Sequence, residues 1–147
     1  MDRELKMENV LSVYRSILNF LSESSDDYFF LLDITNERVY LPPSMGENYG
    51  IAPDGSGSCT LEAWYRITHP QDLPALKASI QRMRSGELCV QDAEYRIINR
   101  YGEVVWISCR GKSNLSPEGV PKWMIGRISD SVFKGKLDQL TGAFLMD

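Results

Sequence analysis

EYRIINRYGEVVW, Glu94–Trp106, is the stretch on which the reading of the chain turns. Two runs rich in β-formers flank Arg100-Tyr101-Gly102-Glu103, and Gly102 supplies the positive-φ position that a tight connection needs. The pattern predicts a long antiparallel hairpin, Leu88–Asn99 paired with Val104–Asn114. Tyr95 and Ile97, with Cys89 and Ala93, fall at alternate positions of its first arm and so share one face.

Downstream, Ser116-Pro117-Glu118-Gly119 marks a second turn, and Pro121–Ser129 predicts a third strand of the meander. Gly126 in the middle of that strand signals a bend or a close approach. Upstream, His69-Pro70-Gln71-Asp72 opens a helix that runs to about Arg84, with Leu73, Leu76, Ile80 and Met83 at helical spacing. Pro70 suits the first helical position and Asp72 the positive helix end, which makes His69 a capping or turn residue. Leu61–Ile67 predicts a short helix with Thr60 as its N-cap.

Nearer the N-terminus, YFFLLD (Tyr28–Asp33) and Arg38–Leu41 predict two more strands around the turn Ile34–Glu37, and Pro42-Pro43 stops the second. Ser44–Thr60, with Gly46, Gly50, Gly55 and Gly57, is polar and glycine-rich, and its DGSGS run, Asp54–Ser58, resembles a flexible loop. That run lacks the GK[ST] of a phosphate-cradling loop. Leu5–Ser22 predicts an amphipathic helix in which Met7, Leu11, Tyr14, Leu18 and Leu21 form a heptad seam, widened by Val10 and Ile17. Such a seam packs either on its own domain or against a second copy.

The 147 residues suit one domain with extensions: 1–25 as the N-terminal helix, 26–130 as the domain and 131–147 as a connector. A net charge of −4 argues against a nucleic-acid partner, since phosphate binding needs a basic face. No apolar run has the length of a membrane span, and no secretory signal is visible. Cys59, Cys89 and Cys109 are odd in number and far apart, and His69 is the one histidine, so neither disulfides nor a metal site is expected. Reduced thiols fit a cytoplasmic protein.

Strand–strand, short helix, longer helix and a three-strand meander describe an α+β fold with helices over one face of a five-stranded antiparallel sheet. WYRITHPQD (Trp64–Asp72), EYRIINRYGEVVW and GRISD (Gly126–Asp130) come in the order and spacing of a PAS domain, in the subtype with HPxD before its long helix. The resemblance covers roughly residues 26 to 130. A second one follows: Asp138-Gln139-Leu140-Thr141-Gly142 looks like the D-x-L-T-G that opens a GGDEF domain, the module of diguanylate cyclases. Where that pattern runs on to Asn-Arg, this chain has Leu145-Met146.

The resemblances imply a sensory module of a bacterial signal-transduction protein that controls cyclic-di-GMP synthesis, with a homodimer as its working form. This chain itself is not expected to be an enzyme. The cysteine motif of flavin photosensors and the helix histidine of haem sensors are missing, so no cofactor is implied beyond a small ligand of unknown identity. Phe30, Leu32, Trp64, Tyr65, Leu76, Ile80, Tyr95, Ile97 and Ile107 are candidates to line a ligand cavity, although any core would bury them. The output path is expected through Asp130, Phe133, Leu137, Asp138, Leu140, Thr141 and Gly142, where Phe133, Leu137 and Leu140 repeat at helical spacing. A dimerisation module without a signal of its own, or a sensor for a histidine kinase, are the alternatives.

Overall fold

The structure, a computed structural model, describes residues 2–115 and 121–130, and for 2–11, 114, 115 and 121 the backbone alone. The elements are α1 (Asp2–Glu23), β1 (Tyr28–Asp33), β2 (Arg38–Tyr40), α2 (Pro43–Tyr49), β3 (Ser58–Thr60), α3 (Leu61–Ile67), α4 (Leu73–Arg84), β4 (Val90–Ile98), β5 (Val104–Leu115) and β6 (Pro121–Asp130). The expected hairpin is present as β4–β5, with Tyr95 opposite Ile107, and Gly102 in its turn has φ 76°. The connector residues Phe133, Leu137, Asp138, Leu140, Thr141 and Gly142 lie outside the described residues.

One antiparallel sheet runs in the order β3-β2-β1-β6-β5-β4. Among the described residues it has six strands where the sequence suggested five. The extra strand, β3, and a helix, α2, fall in the polar, glycine-rich stretch after Pro42, where the sequence suggested no element. Two devices order it. Pro43 sits in the first turn of α2, where its missing N–H is harmless, and Met45 and Tyr49, four apart, bury one face. The Asp54 carboxylate then closes the turn by accepting from the Ser56 amide at 2.8 Å and the Ser56 hydroxyl at 2.5 Å. These bonds hold its carboxyl down to about 2. Arg38 ties the loop to β2 by donating to Ser58 Oγ and to Asp54.

The inner sheet face carries the core. Phe30, Leu32, Val39, Tyr95, Ile97, Ile107, Met124 and Ile128 meet Met45, Tyr49, Leu61, Trp64, Leu76, Ile80 and Met83 from α2, α3 and α4. Gly126 makes the close approach expected of it: a Cβ there would stand 2.4 Å from the Phe30 ring, its cross-strand partner. The fourth helix lies on the other face. Arg15, Leu18 and Asn19 of α1 meet Phe29, Tyr40, Leu41 and Pro42 across a narrow crevice, and Arg15 stacks over the Tyr40 ring. Ser22, buried, fixes the end of α1: its hydroxyl donates to the Leu18 carbonyl at 2.8 Å and accepts from the Phe29 amide at 2.9 Å.

Thr60 caps α3 as expected, its hydroxyl accepting from the Ala63 amide at 3.2 Å. The next helix begins three residues later than its sequence suggested. His69 and Asp72 bracket a turn, α4 starts at Leu73, and the proline in its first turn is Pro74. The Asp72 side chain makes no cap; it is drawn away to Arg96 of β4.

Candidate functional site

The space between α2–α4 and the inner sheet face is the natural candidate, since each wall is a rigid element and every side chain facing in is placed by strand or helix periodicity. It holds a cavity of only about 20 Å³. That is room for one water and far below the several hundred Å³ of ligand pockets. Of the candidate residues, Phe30, Leu32, Trp64, Leu76, Ile80 and Tyr95 line it. Tyr65, Ile97 and Ile107 do not: Ile97 and Ile107 are fully buried in the packed core, and Tyr65 is partly buried beside it. Val39, Met45, Leu61, Gln91, Cys109, Met124 and Ile128 complete the lining.

Gln91 and Cys109 are the polar members that sequence reasoning missed. Both were within reach of the strand alternation: Gln91 shares the parity of Tyr95 and Ile97, and Cys109 stands opposite Ala93. Two buried polar pairs lie in this wall. Trp64 Nε1 donates to the Tyr95 hydroxyl at 3.0 Å, and the Cys109 thiol meets Gln91 Oε1 at 3.8 Å. Burial pushes the Cys109 thiol up to about 12 and Tyr95 well above its ordinary value. A thiol so placed stays protonated at neutral pH and is a poor nucleophile or metal ligand. Cys59, also buried, is pushed up to about 11 by the same desolvation.

Tyr49 packs edge-on against Tyr28 and Trp64, with ring centroids 5.5 and 5.8 Å away. Its buried hydroxyl has no hydrogen-bond partner among the described residues, and burial raises its pKa. No group of three or more His, Cys, Asp or Glu could hold a metal among the described residues. His69 serves the turn, its Nδ1 accepting from the Gln71 amide at 3.1 Å.

The HPQD and YR motifs have a structural explanation. The Asp72 carboxylate accepts from the Arg96 amide at 2.8 Å and from Arg96 Nε and Nη2 at 2.9 Å each. The Arg96 guanidinium lies over the Trp106 ring, 5.0 Å from its centroid. The His69 amide donates to the Arg96 carbonyl at 2.9 Å. The motifs therefore clamp the α3–α4 turn to β4. These bonds hold the Asp72 carboxyl below its ordinary range.

Among the described residues no helix is long and apolar enough to cross a membrane. No curated protein matches the chain. Many solved structures share its fold, among them these two. One is a sensory box histidine kinase/response regulator from Burkholderia thailandensis, with TM-score 0.65 and 21% identity over 84% of this chain and 91% of that one. The other is the N-terminal domain of a diguanylate cyclase with PAS/PAC sensor from Marinobacter aquaeolei, with TM-score 0.62 and 22% identity over 74% of this chain and 98% of that one. The PAS fold family itself matches residues 38–128, from the first residue of β2 almost to the end of β6. That match spans more than half of the chain and takes in both clamp motifs, and the chain belongs to the PAS fold family.

Proposed function

We propose that this PAS domain is a sensory or regulatory module of a bacterial signalling protein, acting in the cytoplasm as a homodimer that controls a following diguanylate cyclase domain. The packed core carries the reading. A cavity of about 20 Å³ favours signalling by rearrangement of the sheet and of the dimer over a stored flavin or haem. The Asp138–Gly142 motif supports a cyclase as the output, and one structure of the same fold comes from a diguanylate cyclase. The same packed core favours a second reading, a ligand-free dimerisation module.

The chain itself does no catalysis on this reading, because the ionisable groups lining the cavity, Tyr95 and Cys109, are both held protonated. Incubated with GTP and magnesium, it forms no cyclic-di-GMP; product above background would overturn the point.

The output is tested in the full protein. If the spacing of Phe133, Leu137 and Leu140 carries a helical connector, its rotation sets how two cyclase domains face each other. Two residues inserted after Phe133 turn the output by about half a turn, and seven nearly restore its phase. Cyclase activity should change severalfold with the first insertion and recover with the second. Equal activity in both would reduce the connector to a tether, and an unchanged rate without the PAS domain would remove the regulatory reading.

A further inference from the structure

On the outer side of the sheet, α1 divides the seam its sequence suggested: Leu18 is buried against the sheet, Tyr14 and Leu21 are exposed, and the side chains of Met7 and Leu11 lie outside the described residues. On the inner side, the hydrogen bonding of the core is incomplete at one side chain. Gln91 is only 3% exposed. A carboxamide offers an oxygen that accepts and an NH2 that donates. Here Oε1 accepts from the Cys109 thiol at 3.8 Å, and Nε2 finds no acceptor among the described residues. Turning the amide over would only exchange the orphan, since the oxygen would then be the unpaired end. Native cores seldom keep such a group dry. The sequence leads to this arrangement directly: the parity of β4 turns Gln91 inward, and Gly111 opposite it brings no side chain to satisfy it.

The cavity of about 20 Å³ is bordered by Gln91, Tyr95 and Cys109. Tyr95 accepts from Trp64 Nε1 at 3.0 Å, which leaves its own O–H to donate. A bound water needs about 10–15 Å³ and two to four polar partners. Both conditions are met here.

We infer that the core binds one water molecule, held by the Gln91 amide, the Tyr95 hydroxyl and the Cys109 sulfur. It accepts from Gln91 Nε2 and from the Tyr95 hydroxyl and donates to the sulfur, and so joins the Trp64–Tyr95 and Cys109–Gln91 pairs into one network across α3, β4 and β5. The chemistry of the wall selects this occupant. Its ionisable members, Tyr95 and Cys109, are held neutral by burial, so an ion would find no countercharge among apolar neighbours. Tyr49, whose buried hydroxyl also lacks a partner, does not line the cavity, so the water does not serve it. A bridging water is nearly as good as a direct hydrogen bond. The site therefore completes the polar contacts of the core without a larger ligand, whatever output domain follows.

Magnetic relaxation dispersion of the water oxygen resonance tests it on the whole chain. The method counts long-lived internal waters and is blind to exchange of hydroxyl and thiol protons. Gln91→Met keeps the length of the side chain and removes the amide. Its dispersion amplitude should fall below that of wild type by the amplitude of a single water, with circular dichroism to establish that both proteins are folded. Equal amplitudes in two folded proteins would overturn the site. Should Gln91→Met not fold, a high-resolution crystal structure of the wild type decides. An ordered oxygen within hydrogen-bond distance of the Gln91 amide sustains the inference, and an amide paired instead with a protein group ends it.

Discussion

Gly126→Val should destabilise the domain by about 3 kcal/mol, at the upper end of what overpacking a filled core costs. The Phe30 ring lies across Gly126, and a Cβ would enter at 2.4 Å from its edge. Neither partner can yield easily, because Gly126 pairs with Phe30 of β1 on one side and Gly111 of β5 on the other. Phe30→Ala alone should cost about 3–5 kcal/mol through the cavity it leaves. The double variant should cost less than the sum, since valine grows into the space that the ring vacates. Urea midpoints of the four proteins measure this coupling. Strict additivity, or a Gly126→Val as stable as wild type, would show that the ring does not need the glycine.

The second large effect is expected at the clamp. Asp72→Ala removes the acceptor of three hydrogen bonds and leaves a guanidinium only 23% exposed without its carboxylate. A loss of about 2–3 kcal/mol is expected. Arg96→Lys should recover only part of the interaction, because an ammonium cannot offer the fork that Nε and Nη2 present. The pH dependence follows from the sign of the shift. The folded carboxyl titrates below its ordinary value of 3.8, so its contribution is complete above that value. It is lost as the pH falls from there through the folded pKa. Wild type should therefore lose stability in this acid window more steeply than Asp72→Asn. Parallel curves for the two would show that the ion pair contributes nothing to the fold.

The hairpin and the meander were legible because local signals agreed: alternation, a glycine at the turn and a proline-bounded third strand. The Ser44–Thr60 segment was not, since its order comes from afar. Arg38 reaches across twenty residues to Ser58, and β3 exists only because β2 offers it an edge. Asp72 stands at the N-cap position of α4, the helix end its sequence suggested, but its side chain is engaged elsewhere. Its position says helix N-terminus, and a partner 24 residues away outcompetes the cap. At the cavity, apolar residues were found by composition, whereas Gln91 needed the alternation followed along β4 and Cys109 the register of the β4–β5 pairing. The volume of the cavity depends on how Phe30 and Met124 lie against Gly126 and Gly111, which no periodicity reports.

The clamp also governs a surface exposed to other chains. Among the described residues β4 has a strand on one side only, and its outer backbone groups there are a template for a foreign strand. The Thr68–Ile97 bridge, the His69 amide on the Arg96 carbonyl and the Asp72 carboxylate on the Arg96 amide occupy that margin at its far end. Nearer its start the margin is bordered by the charged side chains of Asp92 and Glu94, both exposed. Releasing the α3–α4 turn would uncover donors and acceptors already spaced for β-pairing. Variants that weaken the clamp should therefore self-associate through strand addition as well as unfold, and a thioflavin signal that rises before global melting would reveal it.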